Sequence, residues 1–323
     1  DLDRFLEALR SADYRFVLAV LVVGMGWLLI RAAVWRTILR ERASYRDTFL
    51  TMCEGYLLNN FLPFRLGEVG RAFLLGRKTG LGFLEVLPSI IIERVLDLAF
   101  AAAILMSAVP FVVGAASAGR IALFIGVIVF LGLVVLFLLA RHQEWALNIF
   151  ERLSRRYPVL QQRGGGFIRS LFSGLSVLTD RWLFVKILLW MVFNWVVAIG
   201  QYYLLLRAFF PQAQPAWALF GLGAVAFGNA IPSLPGAVGT FEGAMAGALT
   251  IVSGNESASL AAALTAHLVN YLLTGVIGLM ALSREGETLM SVYRQLKKQE
   301  EPGRSMDADE KTLTTDTQIN KDG

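Results

Sequence analysis

The sequence is poor in the residues from which many catalytic and structural metal sites are built. Cys53 is the only cysteine, so no disulfide can form within the chain, and the two histidines are not spaced with cysteine as zinc ligands. Charged residues make up 17% of the chain and hydrophobic residues 56%. Soluble domains have about 25% charged residues. The composition therefore excludes a disulfide or zinc scaffold and predicts a membrane protein.

Nucleotide-binding and hydrolase motifs are also missing. RGGGF at 163–167 lacks both the lysine of a phosphate-binding loop and the spacing of a dinucleotide-binding loop. Neither G-x-S-x-G nor H-E-x-x-H occurs. The net charge of +5 comes from arginines grouped between apolar runs, which is typical of cytoplasmic loops. We therefore expect no cofactor, no metal and no nucleic-acid partner.

Apolar segments long enough to cross a membrane as helices, which takes about 20 residues, are present instead. There are five of them: Phe16–Leu39, Val86–Val109, Ile121–Ala140, Trp182–Phe209 and Ser257–Leu282. The sequence thus predicts an all-α polytopic membrane domain over residues 1–284, with a basic cytoplasmic loop at 141–181. We expect residues 285–323 to form a cytoplasmic surface helix and a disordered tail, since the end is almost free of apolar residues.

Two further apolar regions, about residues 49–78 and 216–252, are each broken in the middle. The first is broken at Pro63 and the second at IPSLPG, residues 231–236. Each arm has only about 12–16 residues, which is short for a crossing at about 1.5 Å per residue. Each region therefore predicts a re-entrant helical hairpin, whose freed backbone groups must be buried in protein or face a water-filled cavity.

The two breaks resemble each other. NFLPFRLGEVG at 60–70 and NAIPSLPGAVG at 229–239 align without a gap and are identical at five of eleven positions. Three predicted spans separate them, so the hairpins enter from opposite sides as a candidate inverted repeat, the pattern that marks a transporter's substrate site. Chance similarity is the alternative, because Gly, Val and Pro are common at membrane breaks. The predicted break residues are Pro63, Gly67, Gly70, Pro232, Pro235, Gly236 and Gly239.

The distribution of basic residues predicts the orientation. They are concentrated after the first span, in the 141–181 loop and after the last span, whereas the connections at 110–119 and 253–256 have none. The basic residues assigned to the first of these connections are Arg31, Arg36, Arg40, Arg42 and Arg46. The positive-inside rule then puts the N-terminus outside and the C-terminus in the cytoplasm.

Polar and charged residues gather at the breaks and in the span that follows the first hairpin. A charge at the bilayer centre costs at least about 2.5–3.5 kcal/mol, so these residues should face inward, where they pair or line water. Each of them taken singly could be a structural strut, but as a group they predict a polar cavity. The candidate substrate-binding residues are Asn60, Arg65, Glu68, Arg71, Glu93, Arg94, Asp97, Asn229 and Glu242.

His267 lies in the last predicted span, away from the other candidate residues in the sequence. A single histidine at such a position is more often a packing or hydrogen-bonding residue than a catalyst. Asn270, one helical turn further on, is its candidate partner.

Three motifs, LPFRLGEVGR (62–71), IIERVLDL (91–98) and IPSLPGAVGTFEG (231–243), resemble in order and spacing the lysylphosphatidylglycerol synthase transmembrane-domain family. The resemblance extends over about residues 10–285 and implies a stand-alone flippase-like domain of a bacterial or archaeal cytoplasmic membrane. Such a domain moves a phospholipid, an aminoacyl-phospholipid or an isoprenoid-linked lipid between leaflets without its own ATPase.

The resemblance also implies partners. These are membrane lipids and a separately encoded lipid-synthesising enzyme. A second copy of the chain is a further candidate partner, because Gly243 and Gly247 form a small-residue face that could either dimerise the protein or pack the hairpin. The alternative to a flippase is a membrane-embedded lipid-modifying enzyme that uses the intramembrane carboxylates as acid, base or Mg²⁺ ligands.

Overall fold

The computed structural model describes residues 2–113, 178–231 and 234–284, with isolated positions between 114 and 177. The predicted span at 121–140, most of the 141–181 loop, Pro232 and residues 285–323 lie outside this part. Residues 1–279 form one compact unit; of the second unit, which begins at Met280, only the end of a helix is described. The continuous ranges hold nine α-helices: α1 (Leu2–Ser11), α2 (Tyr14–Ile38), α3 (Tyr45–Phe61), α4 (Leu66–Thr79), α5 (Phe83–Val113), α6 (Arg181–Phe209), α7 (Pro215–Ala230), α8 (Thr240–Ser253) and α9 (Glu256–Arg284).

Four of these helices, α2, α5, α6 and α9, are long and apolar enough to cross a membrane. Their exposed surface is apolar as well: on α9, Leu260, Leu264, Leu268, Leu272 and Val276 repeat every four residues and are all exposed. Helix α6 has a similar exposed stripe. Apolar stripes of this length on the outside suit hydrocarbon and not water. These four helices correspond to four of the five predicted spans.

Helices α2 and α6 pack along each other in opposite directions. Asp13 caps α2 by accepting the Arg15 N–H at 3.0 Å, and its own N–H donates to the Ala208 carbonyl near the end of α6. At the other end, Lys186 near the start of α6 pairs with Glu41 after α2, and this bond holds the pKa of the Glu41 carboxyl below its ordinary value. The contacts fix which helix ends lie on the same side.

The two broken regions form two short helix pairs, α3–α4 and α7–α8, each joined by a tight turn. Pro63–Arg65 forms the first turn, in which Phe64 (φ 53°) and Arg65 (φ 57°) are left-handed. Pro235–Ala237 forms the second, in which Gly236 (φ 66°) and Ala237 (φ 59°) are left-handed. Left-handed residues other than glycine are uncommon, and they often mark functional sites.

The turns are not equivalent at every aligned position. Gly67 and Gly70 lie inside α4, because the left-handed pair of the first turn ends at Arg65 and a regular helix begins at Leu66. The left-handed pair of the second turn comes three residues later in the alignment, and α8 begins only after Gly239, whose φ is 86°. Pro63, Pro235, Gly236 and Gly239 therefore lie in or beside the turns, whereas Gly67 and Gly70 do not.

The two pairs approach each other from opposite ends of the long helices. Helices α3 and α5 both begin near the connection after α2, where Arg42 bonds Glu85 at 2.8 Å. Helix α7 follows the other end of α6, and the end of α8 contacts the start of α9 through Ser253 and Ser259. The second turn contacts both α3 and the first turn. The turns therefore meet between the long helices.

The α3–α4 pair depends on a close approach of its two backbones. A Cβ on Gly67 would lie 2.1 Å from the Gly55 carbonyl oxygen and 2.6 Å from the Asn59 nitrogen. By contrast, a Cβ on Gly247 of α8 meets no described atom within 4 Å.

We therefore expect Gly67→Ala to lower the free energy of unfolding by about 1–3 kcal/mol, because the two helices must separate. Gly247→Ala is the matched control, and it should be neutral or stabilising by up to about 1 kcal/mol through helix propensity. Thermal unfolding of the two purified variants in detergent measures the difference. Equal midpoints would contradict the tight helix contact.

Candidate functional site

A cavity of about 510 Å³ lies where the two turns meet. Residues from every helix from α2 to α9 line it, together with both turns. Its wall combines charged side chains with many amides and aromatic rings. The charged members are Arg31, Arg65, Glu68, Arg94 and Asp97, and the amides are Asn59, Asn60, Asn194, Gln201, Asn229 and Asn270.

The structure brings most of the predicted site residues to this cavity. Those in its wall are Asn60, Arg65, Glu68, Arg94, Asp97 and Asn229. Arg71 and Glu93 lie behind the wall and are almost fully buried, with side chains 1% and 0% exposed. Glu242 reaches the cavity indirectly, because it bonds His267 in the wall.

Glu93 is the centre of a buried ion-pair network. Its Oε2 accepts from Arg71 at 3.1 Å, and its Oε1 accepts from Arg94 at 3.0 Å and also contacts Arg31. Arg71 additionally stacks over the Trp35 ring, with its Cζ 4.7 Å from the ring centroid. A buried carboxylate is tolerated when charged donors occupy both of its oxygens, as they do here.

The network continues outward to the cavity. Arg31 and Arg94 both pair with Asp97. The Nη1 of Arg31 donates to Asp97 Oδ1 at 2.7 Å. Arg94 and Arg65 both contact Glu68, at 3.5 and 3.3 Å. Four arginines thus share three carboxylates, which leaves one excess positive charge. Exposure rises along the path, to 28% at the Arg94 side chain and 31% at Arg65.

Arg31 does not belong to the connection that follows the first span. It lies inside α2 and is 2% exposed, and it joins α2 to α5 through Glu93 and Asp97. In the sequence, Arg31 is difficult to distinguish from the arginines that follow it, because a basic residue near a helix end usually lies at the membrane surface. Its signal is the position: Arg31 precedes the end of α2 by about two turns.

Several polar groups around the cavity have no hydrogen-bond partner among the described residues. They are the indole N–H groups of Trp27 and Trp195 and the amide oxygens of Asn59, Asn194 and Asn229. Buried polar atoms are nearly always hydrogen-bonded, so such a set in one cavity points to water or a polar ligand. The sequence signal for two lining amides is their spacing: Asn194 and Gln201 are seven residues apart on one face of α6.

His267 bonds the second helix pair and not its predicted partner. Its Nδ1 lies 2.6 Å from Glu242 Oε1, and its Nε2 lies 2.9 Å from the Gly236 carbonyl oxygen. Asn270 instead interacts with Tyr202. The prediction of Asn270 failed because it considered only neighbours on the same helix, whereas the actual partners come from α8 and its turn.

Comparison with known proteins identifies the family. A model described as the lysylphosphatidylglycerol synthase TM region matches residues 1–278. The chain belongs to this family. A UPF0104 membrane protein of Methanothermobacter thermautotrophicus is 23% identical over 291 residues, which cover 85% of each chain. No solved structure matches the chain significantly.

Membership of the lysylphosphatidylglycerol synthase TM family confirms the resemblance predicted from the three motifs. It agrees with the four helices able to cross a membrane, and it links the protein to membrane lipids. Two of the motifs, at 62–71 and 91–98, contribute six of the seven residues of the ion-pair network. The seventh, Arg31, lies outside all three motifs.

We expect Glu93→Gln to lower the free energy of unfolding by about 3–5 kcal/mol, because three arginines lose their common buried carboxylate. Glu85→Gln is the matched control: it breaks the exposed pair with Arg42, and such pairs contribute about 0–1 kcal/mol. Thermal unfolding in detergent compares them. A stable Glu93→Gln protein would show that the network is not structural.

Proposed function

We propose that this protein moves a lipid with a polar or charged headgroup between the leaflets of the membrane, without its own ATPase. The main support for the proposal is that polar and apolar side chains are separated at the turns. The cavity wall brings five charged side chains and six amides together, whereas the turn regions expose the apolar side chains of Phe61, Phe64 and Val238 away from it. A lipid is divided in the same way, so its headgroup can enter the cavity while its acyl chains stay in hydrocarbon.

The charge of the wall supports a phosphate-bearing headgroup. The network has one more arginine than carboxylates, and its two most exposed members are Arg65 and Arg94. Guanidinium groups bind phosphate oxygens through charge-assisted hydrogen bonds. The unpartnered amides and indoles can bind the rest of the headgroup. Phospholipids, aminoacyl-phospholipids and isoprenoid-linked lipid phosphates all fit this description.

We further propose that α3–α4 and α7–α8 are re-entrant hairpins that enter from opposite faces as an inverted pair. Their helices have only 17, 14, 16 and 14 residues, and their turns contact each other. Rocking of one pair against the other would expose the cavity to each side in turn, as in transporters with inverted repeats.

The proposed setting is a bacterial or archaeal cytoplasmic membrane, with a fifth span at 121–140, the N-terminus outside and the C-terminus in the cytoplasm. The pairing of Lys186 with Glu41 supports this orientation, because it puts the basic connection after α2 beside the start of α6. The proposed partners are membrane lipids, a separately encoded enzyme that synthesises the lipid, and a second copy of the chain.

The arrangement of the carboxylates gives less support to a lipid-modifying enzyme. Glu68, Glu93 and Asp97 are each paired with at least one arginine, so guanidinium groups already occupy the oxygens that an acid–base catalyst or a cation site would use. Among the described residues, no group of three or more Asp, Glu, His or Cys side chains is placed to hold a metal. The experiment below also tests whether the protein is a lipid-modifying enzyme.

We expect purified protein in liposomes to accelerate the flipping of fluorescent anionic phospholipids, measured by dithionite quenching. Arg65→Gln should slow it by about tenfold, since it removes one charge-assisted bond worth about 1.4 kcal/mol. Arg42→Gln is the matched control and should flip at the wild-type rate, because Arg42 belongs to an exposed pair outside the cavity wall.

Mass spectrometry of the recovered lipids distinguishes the alternative. Flipping that Arg65→Gln slows, with lipids chemically unchanged, supports translocation through the cavity. A covalently altered lipid without flipping would show that the protein is a lipid-modifying enzyme and not a transporter.

Orientation can be measured with introduced cysteines, because the native Cys53 is fully buried and should give little background. We expect an impermeant thiol reagent to label Glu256→Cys from outside intact cells, and to label Arg42→Cys only after permeabilisation. Both residues are exposed and lie at opposite ends of the long helices. The reverse pattern would invert the proposed topology.

A further inference from the structure

His267 is held between α8 and the second turn, and both of its ring nitrogens are engaged. Nε2 lies 2.9 Å from the Gly236 carbonyl oxygen, and Nδ1 lies 2.6 Å from Glu242 Oε1. The imidazole ring also stacks on the Phe241 ring, with 4.4 Å between the ring centroids, and it meets the Tyr271 ring edge-on, with 4.7 Å between the centroids. His267 is 8% exposed and lines the cavity.

The partners determine how many protons this site holds. A carbonyl oxygen only accepts, so Nε2 carries the hydrogen of the bond to Gly236. A neutral imidazole has no second N–H, which would leave the Nδ1 lone pair facing the lone pairs of Glu242 at 2.6 Å. A second proton must therefore lie between Nδ1 and Oε1. The pair is either imidazolium with carboxylate or imidazole with carboxylic acid.

The other contacts of the pair fix its position and leave this proton free to exchange. Glu242 Oε2 accepts the Gly239 N–H at 2.7 Å, which ties the carboxyl to the start of α8. The titratable groups that face the imidazole are Glu242 from α8 and Tyr271 from its own helix, and no arginine, lysine or aspartate contact with the ring is found among the described residues. The cavity gives the pair a polar route for the proton.

The geometry points to a proton-coupling site: the His267–Glu242 pair binds one transported proton, and its loss breaks the bond between α9 and the start of α8, directly after the second turn. Without that proton, two electron-rich atoms oppose each other at hydrogen-bond distance, so the ring or the start of α8 must move. Gly236 and Ala237 of that turn line the cavity, and the turn contacts α3 and the first turn. Proton release would thus change the cavity. This inference rests on the proposed transport function and names its driving ion.

The second turn also fits closely against α9. The Tyr271 hydroxyl lies 1.3 Å from where a Cβ on Gly236 would be, and Gly236 has a φ of 66°. Only glycine allows both the conformation and the contact. His267 and Tyr271 of α9 thus contact the turn at the same residue, Gly236.

The proton itself can be observed without any transport, because His142 and His267 are the only histidines in the chain. Full-length protein labelled with ¹⁵N-histidine in lipid nanodiscs gives two imidazoles, which His267→Gln assigns. We expect the His267 ring to lose one proton in a step that Glu242→Gln abolishes, because the amide N–H replaces the shared proton and does not titrate. If the His267 titration is unchanged in Glu242→Gln, the inference that His267 and Glu242 share a proton is wrong.

Coupling is tested with fluorescent phosphatidylglycerol in proteoliposomes. We expect the wild-type flipping rate to differ by at least about threefold between about pH 5.5 and about pH 8, the range in which histidine side chains in general change charge. Glu242→Gln should flatten this dependence, whereas Glu256→Gln, a control exposed at the start of α9, should keep it. The same pH dependence in Glu242→Gln and the wild type would overturn the coupling.

The two measurements separate this inference from the function on which it rests. If the wild type flips none of the lipids, the transport role of the proton fails together with the proposed function. The nitrogen titration still decides whether His267 and Glu242 hold a shared proton.

Discussion

Burial of the Glu93 carboxylate among three guanidinium groups constrains where α2, α4 and α5 can lie. Each helix contributes at least one member of the network, and removal of one member leaves the others charged in a region that cannot solvate them. The positions of Arg94 and Asp97, and through them Glu68 and Arg65, follow from this centre. The charged wall of the cavity is therefore the outer edge of a structural core.

The opposite wall is built differently. The α7–α8 pair is apolar, and it contributes Asn229 and the second turn to the cavity. What holds that turn is a pair of hydrogen bonds to His267 and the contact between Gly236 and Tyr271. One side of the cavity is thus fixed by several ion pairs, and the other by the bonds of His267 to Glu242 and to the Gly236 carbonyl.

Much of the architecture could be predicted from the sequence. Apolar runs locate the long helices because hydrocarbon requires about 20 apolar residues for each crossing, and Pro63 and IPSLPG locate the turns because proline interrupts a helix. Intramembrane charges located four of the five charged residues of the cavity wall, because charges are too costly to face lipid. The conformation of the turns was not predictable: Phe64 and Arg65 adopt left-handed backbone where a glycine is expected, so Gly67 became part of α4.

The sequence by itself determined the membrane class, the family, the broken helix pairs and the concentration of charge beside the first break, because all of these are set by local composition and spacing. Only the tertiary structure decided the partners. Arg31 meets Glu93 across 62 positions, and Glu242 meets His267 across 25. Pairings at such separations depend on how the helices pack, since residues far apart in sequence are brought together only by the fold. A span that contains an arginine or a histidine does not reveal which other helix will supply its counter-charge.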